Sequence, residues 1–330
     1  MLGSLESVAT ITPVLNDADH LTSAVRSIQQ QRGMPVAAIV VSVGPSHDGS
    51  LAVAKRLAAA DPRIRVVENP SGRTSVALNL GMEMVGDAEI IARVDARSVL
   101  PPDYLSQAVE TLHRTGAGNV GAIQNPVGHT RIERAIAEAM QSMVGSGGAA
   151  YRHAGLAREV DTAWLGVFRR SAIEDVGGWD ESFGRNQDAE LNLRLANAGH
   201  RVWLDPRLVV DYRPRSTFLT LARQYRDYGW WRCRTIHKHP GSVAPRQIGP
   251  PLLVLVLVGT AAASLVWSRL LALVPAAYGV AVLSAGMATR GPLSQRVTAG
   301  LALATMHLCW GVGFLGSAAG LLSRCLRSRT

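Results

Sequence analysis

Two patterns of apolar and polar positions divide this 330-residue chain. Up to about residue 246, short apolar runs of strand character alternate with stretches of helical periodicity. They read "SVATITPV", a helix from about Asp17 to Gln31, "VAAIVVSV", a helix from about Gly49 to Ala60, "IRVVENP", a helix from about Thr74 to Val85, and "EIIARVD". Such alternation predicts βαβ units on a largely parallel α/β sheet. From 248 to 322 the chain is almost uncharged, with His307 the main polar interruption. The runs "IGPPLLVLVLVGTAAASLVWS", "LLALVPAAYGVAVLSAGMAT" and "VTAGLALATMHLCWGVGFLGSAAGLLS" each reach the roughly 20 residues that span a hydrocarbon core. Three spanning or re-entrant helices are expected there.

Charge and cysteine content refine this division. The formal net charge is +9, and many arginines fall in 201–246, just before the first apolar run. A polybasic juxtamembrane zone is drawn to anionic lipid. No nucleic-acid motif accompanies the charge, so a membrane lipid partner is expected and nucleic acid is not. Residues 1–8 carry Glu6 and lack a secretory signal pattern, which points to an N-terminal domain on the cytoplasmic side of a bacterial-type plasma membrane. Cys233, Cys309 and Cys325 have neither metal-ligand nor disulfide spacing, as suits a reducing compartment. The expected organisation is an α/β domain over 1–215, a basic and aromatic interface segment over 216–247, and a transmembrane region over 248–330.

Ligands of parallel α/β sheets bind beyond the carboxyl ends of the strands. The loops there are "TPVLNDADHL", "VGPSHDGS", "ENPSGRTSVALN" and "RVDARSVLPP". Each carries small or polar residues whose backbone amides can face an anion at a helix start. No Walker-type phosphate loop is present.

In order and spacing these loops resemble those of family 2 glycosyltransferases of the GT-A fold, most closely a membrane-anchored subgroup that includes succinoglycan-biosynthesis glycosyltransferases. The resemblance spans about residues 8–235. It implies that Pro13 and Asn16 line the nucleotide, that Asp48 of "SHDGS" sits in the donor loop, and that Arg73 and Asn79 of "SGRTSVALNLG" lie near base and ribose. "GGWDESF" and "NQDAELNLRL" resemble the acceptor-side turn and the acidic catalytic motif of the family. Asp188 matches the family's general base. Glu190 is its nearest rival, read otherwise as a helix-surface partner of Arg194. Asp180 and Glu181 either position the acceptor or close a Gly-Gly turn, and Trp164 is a candidate shelf for sugar or lipid.

Two departures from the family pattern stand out. Relatives end the strand after the arginine loop in Asp-x-Asp, one acid of which coordinates a divalent cation, Mg2+ or Mn2+, on the donor diphosphate. Here Asp95-Ala96-Arg97 keeps the first acid and replaces the second with a cation. Either Asp95 holds the metal with diphosphate and water, or Arg97 clamps the diphosphate through its bidentate fork, or Arg97 is a solvated bystander in a surface turn. The family's base-reading Asp near Val43 or Gly44 is also missing, which leaves the donor base open.

Downstream, "STFLTLARQYRDYGWWRCRTIHKHP" interleaves aromatic and basic residues as an interfacial helix does. Gln224, Trp230, Trp231 and Arg232 are its candidate acceptor and membrane-interface residues. The segment partly resembles the Gln-x-x-Arg-Trp motif of processive relatives, but Trp230 is six residues beyond Gln224 and processivity is not implied. The resemblance implies transfer of a sugar from a nucleotide-sugar donor to a lipid-linked, polyprenyl-type acceptor, in cell-envelope or exopolysaccharide synthesis. Alternatives are direct transfer to polyprenyl phosphate and a non-catalytic sugar-nucleotide-binding membrane subunit.

Overall fold

A computed structural model of the protein describes residues 7–147, 150–152 and 155–327. The stretch 1–6, part of the region read as free of a secretory signal, lies outside them.

In chain order the elements are β1 (Val8–Val14), α1 (Ala18–Gln29), β2 (Val36–Val43), α2 (Ser50–Ala60), β3 (Ile64–Glu68), α3 (Thr74–Glu83), β4 (Ile90–Arg93), β5 (Ser98–Val99), α4 (Tyr104–Thr115), β6 (Asn119–Pro126), α5 (Arg131–Gln141) and α6 (Met143–Ser146). There follow β7 (Arg158–Glu159), β8 (Trp164–Arg169), α7 (Arg170–Asp175), α8 (Gln187–Asn197), β9 (Val202–Tyr212), α9 (Phe218–Lys238), α10 (Gly249–Val266), α11 (Leu273–Met287) and α12 (Leu293–Arg327). They form two compact units, one of Met1–Asn125 with Ala150–Tyr212, the other of Pro126–Ala149 with Arg213–Thr330.

The first unit is built on a nine-stranded sheet among the described residues, in the order β3-β2-β1-β4-β8-β6-β9-β5, with β7 beside β9. The expected parallel pairing holds for β3, β2, β1 and β4. Beyond β4 the sheet is mixed, because β8 runs antiparallel to both β4 and β6. Successive side chains on a strand point to opposite faces, and the buried residues obey this. Val8 and Val14, Ile39, Val41 and Val43, with Ile90, Ala92 and Val94, face the core under α1 and α4. Ala9 and Ile11, Ala38 and Val40, with Ile91, face the opposite core with Leu78 of α3 and Leu191 and Leu195 of α8.

In the second unit, three helical stretches among the described residues are long and apolar enough to cross a membrane: Pro245–Val266, Arg269–Met287 and Leu293–Arg324. Helix α9 lies backbone to backbone on α12. A Cβ on Gly229 would fall 1.9 Å from the Trp310 carbonyl oxygen, and one on Gly313 would fall 2.0 Å from that of Arg226. Helix α5 also packs on α12. This is why Pro126–Ala149, placed by sequence order in the first domain, groups instead with the C-terminal helices. His307, the polar residue in the last apolar run, meets the Val144 carbonyl oxygen at 3.0 Å and the Tyr278 hydroxyl at 3.3 Å.

Candidate active site

Strand parity builds the centre of the site. Ile91 faces the α3 and α8 side of the sheet, so Arg93 two residues on faces it too. Arg93 is a charged residue inside an apolar strand, and its side chain is only 8% exposed. A buried guanidinium must be paired. Its Nε and Nη2 reach Asp95 Oδ1 at 2.9 and 2.7 Å, and its Nη1 bonds Asp188 Oδ1.

Asp188 lies in the first turn of α8, 95 positions along the chain from Arg93. There the helix N-terminus favours a negative charge. Burial pushes the Asp188 carboxyl above the usual carboxylate range, the Arg93 charge pulls it back, and the Asp95 charge adds to the push. Burial alone would lower the Arg93 guanidinium, but the charges of Asp188 and Asp95 outweigh it and hold it above its ordinary value. Arg93 is not among the residues that the sequence motifs single out, although a charge between Ala92 and Val94 in an apolar strand is a signal for it.

Asp95-Ala96-Arg97 forms a tight turn closed by a bond from Ser98 N–H to the Asp95 carbonyl at 2.9 Å. It is not a solvated turn, since Ala96 is buried and Arg97 is 18% exposed. Arg97 Nε lies 2.7 Å from Asp17 Oδ1, and that same oxygen is 3.6 Å from His20 Nδ1. The bystander reading of a freely solvated Arg97 is therefore corrected: the side chain is committed to the β1–α1 loop.

The β1–α1 and β2–α2 loops are stitched to each other. Asn16, at a left-handed φ of 52°, donates its backbone N–H to Ser46 Oγ and accepts from His47 N–H through Oδ1. Asp48 accepts from Ala18 N–H at 2.9 Å through Oδ2, and from Ser50 N–H and Oγ through Oδ1. Burial raises its carboxyl somewhat, but these donors outweigh it and hold Asp48 below the ordinary carboxylate value. Pro13 stands opposite Ser42 at the carboxyl end of β1.

Helix α3 holds the Gly-Gly turn. Asn79 Nδ2 donates to the Trp179 carbonyl at 2.8 Å and to Glu181 Oε1 at 3.0 Å, while its Oδ1 accepts from Trp179 N–H at 2.9 Å. Arg73 Nη1 donates to the Glu181 carbonyl at 2.9 Å. Gly178, at φ +75°, passes so close that a Cβ would sit 2.9 Å from Asn79 Oδ1. Asp180 Oδ1 accepts from Ser182 N–H. Trp164 stands edge-on to Tyr212 with centroids 6.0 Å apart.

The surface pair expected of Glu190 and Arg194 is instead buried. Glu190 is fully buried, and Arg194 binds both its oxygens at 2.8–3.0 Å and also donates to the Val176 carbonyl. Leu191 and Leu195 of α8 belong to the core on this side of the sheet, and Glu190 beside them is fully covered.

The remaining candidates belong to the second unit. Gln224 donates to the Tyr228 hydroxyl at 2.7 Å, and Arg232 Nη2 donates to the Ser242 carbonyl at 2.7 Å. Arg234 lies over the rings of both Trp230 and Trp231, 5.2 Å from each centroid.

Among the described residues no group of three or more His, Cys, Asp or Glu side chains is placed to hold a metal by protein ligands alone. The residues do fit an ion shared with a substrate. Arg93 bonds only Oδ1 of Asp95, which is 23% exposed, so Oδ2 can join diphosphate oxygens and water around a divalent cation.

The carboxyl ends of β1, β2 and β4, with a carboxylate delivered by α8, define an α/β transferase of the GT-A fold. The mannosyltransferase PcManGT from Pyrobaculum calidifontis, solved in complex with GDP-Man and Mn2+, has the same fold, with a TM-score of 0.57 over 94% of this chain and 86% of that one at 20% identity. The chain belongs to glycosyltransferase family 2, whose model, "Glycosyl transferase family 2", matches residues 9–177. It is 32% identical over 313 residues to the succinoglycan biosynthesis protein ExoA of Rhizobium meliloti (strain 1021), covering 92% of each. It is 25% identical over 232 residues to a dolichyl N-acetyl-alpha-D-glucosaminyl phosphate 3-beta-D-2,3-diacetamido-2,3-dideoxy-beta-D-glucuronosyltransferase of Methanococcus voltae, covering 67% of this chain and 71% of that protein. The protein is thus a glycosyltransferase related to exopolysaccharide biosynthesis, with C-terminal helices suited to a membrane.

Proposed function

We propose that the chain is an inverting glycosyltransferase that moves one sugar from a nucleoside-diphosphate donor to a lipid-linked, polyprenyl-type acceptor at the cytoplasmic face of a membrane. The observation that carries the chemistry is the pairing of Asp188 with the same buried guanidinium that holds Asp95. One carboxylate lies in the donor loop after β4, the other at the start of α8. The donor sits beyond the carboxyl ends of β1, β2 and β4, the usual place for ligands of such sheets.

The acceptor hydroxyl oxygen attacks the anomeric carbon from the face opposite the diphosphate, the bond from that carbon to the diphosphate oxygen breaks, and the nucleoside diphosphate leaves with the electron pair. Asp188 takes the acceptor proton. A carboxyl held above its ordinary range by burial is a better base than a solvated one. Asp95 Oδ2 would hold a divalent ion, which when bound stabilises negative charge on the leaving diphosphate. Pro13, Asn16, Asp48, Arg73 and Asn79 shape the donor loops, while Trp164 and Asp180 flank the acceptor side.

Three apolar helices and the basic, tryptophan-bearing α9 support a membrane setting and anionic lipid. The Methanococcus voltae relative, named for a dolichyl phosphate-linked substrate, supports a lipid-linked acceptor.

The test uses full-length protein in phosphatidylglycerol vesicles. Radiolabelled UDP-, GDP- and dTDP-hexoses are offered with undecaprenyl phosphate or an undecaprenyl diphosphate hexose. Asp188→Asn should lower transfer by about 10²–10⁴-fold, the range for a positioned general base, with donor binding unchanged. Turnover within about threefold of the parent, or no turnover by the parent across the panel, overturns the reading.

A further inference from the structure

We propose that Arg93 is a positioning residue: its guanidinium fixes the base Asp188 relative to the donor-side Asp95, so that each carboxylate keeps one oxygen aimed into the site. The proposal rests on the reading of Asp188 as the base.

The geometry is that of a divided fork. Nε and Nη2 together take Asp95 Oδ1, and Nη1 takes Asp188 Oδ1. The guanidinium is planar and rigid, so the directions of its two sets of donors are fixed relative to each other. One oxygen of each carboxylate is thereby consumed. The two side chains remain 23% and 24% exposed, and neither Oδ2 has a partner among the described residues. Oxygens left this way can receive an acceptor proton on one side and face the donor on the other. Lysine, a point charge on a flexible stem, could neutralise the carboxylates without setting these directions.

A purely structural role accounts poorly for the arrangement. Replacing a buried ion pair with apolar residues of similar volume is often neutral or stabilising, so such a pair is a weak way to hold a helix down. Helix α8 is already seated by Leu191 and Leu195, by the bond from Arg194 Nη1 to the Val176 carbonyl at 2.6 Å, and by the Asn192–Asn119 bond at 2.7 Å. Among the described residues, Arg93 is the guanidinium whose partners are the two carboxylates assigned to opposite sides of the reaction.

The experiment is a double-mutant cycle on the full-length protein, with the donor and acceptor pair that the panel above selects. Arg93→Gln should lower kcat by about 10²-fold, as a misplaced catalytic group does, with donor affinity changed less than threefold. Arg93→Lys should fall between it and the parent. In the Asp188→Asn background, Arg93→Gln should cost less than about threefold more, since residues acting as a unit are non-additive. The Tm of the double variant should exceed that of Arg93→Gln, because one of the two orphaned charges is gone.

If Arg93→Gln keeps kcat within threefold, or if its loss is multiplied undiminished onto Asp188→Asn, Arg93 does not act through the base. An Arg93→Gln protein that fails to fold leaves the decision to Arg93→Lys: full parental kcat there overturns the proposal, and a loss confined to kcat supports it. An active Asp188→Asn instead sinks the assignment of the base, which separates the two failures.

Discussion

Glu190 stands two residues from the proposed base and is fully buried, so its substitution tests which carboxylate does chemistry and which holds the helix. Arg194 binds it with three bonds, Nε to both oxygens at 2.9 and 3.0 Å and Nη2 to Oε2 at 2.8 Å. Breaking a buried pair by removing one partner costs about 3–5 kcal/mol, mostly through the charge left uncompensated. Glu190→Gln keeps the shape and one acceptor, and Arg194 is 20% exposed to water, so the lower end applies, about 3 kcal/mol. For a unit of this size 1 kcal/mol moves Tm by about 2–4 °C, giving a fall of about 6–12 °C. The assay is thermal unfolding of the purified protein alongside turnover at a temperature where the variant stays folded. The expected result is a lower Tm with kcat per folded molecule within about threefold of the parent. A variant with an unmoved Tm and turnover down by 10²-fold or more would make Glu190 the base and refute the assignment.

Two further outcomes follow from ion pairs in the first unit. Asp205 is buried, and although burial raises its carboxyl, bonds from Arg207 and Thr111 outweigh this and depress it. Its folded value lies below the unfolded one near 3.9, so its stabilisation is present above about pH 4 and lost as pH falls through the folded value; the Tm gap between the parent and Asp205→Asn should be widest near neutrality and close in acid, and a gap independent of pH would refute this. Releasing Arg97 by Asp17→Asn should tighten binding of UDP or GDP if the guanidinium clamps the diphosphate, and should make activity less dependent on added Mn2+; weaker nucleotide binding would show instead that the pair braces the two loops.

Much of the first unit was legible because its signals are local. The period-two strands and the helices after β1, β2 and β3 end within a few residues of where their patterns fail, at Gln29, Ala60 and Glu83. The antiparallel half was not legible, since the pairing of β8 between β4 and β6 depends on contacts between segments 70 or more positions apart in the case of β4. The grouping of Pro126–Ala149 with the C-terminal helices was hidden for the same reason: α5 is amphipathic, but nothing in its own residues names α12 as the surface it covers. Glu190 shows the limit of helical periodicity. An i,i+4 pair with Arg194 reads as surface decoration until the roll of α8 on the sheet turns it inward.

The stretch Arg93-Val94-Asp95-Ala96-Arg97 shows what motif matching misses. Compared with Asp-x-Asp, it reads as a site that has lost an acid. In the folded protein each arginine is matched by a carboxylate from elsewhere, Arg93 by Asp188 and Arg97 by Asp17. Three carboxylates, Asp17, Asp95 and Asp188, then stand against two guanidiniums, and the formal sum 2 − 3 leaves one net negative charge. The cation gained at Arg97 is therefore spoken for, and this cluster alone does not attract a diphosphate. Attraction has to come from Arg73, from backbone amides at the starts of α1 and α2, or from a divalent ion carried in with the donor. The Asp17→Asn experiment acts on this balance directly, because removing one carboxylate brings the sum to zero without touching Asp95 or Asp188.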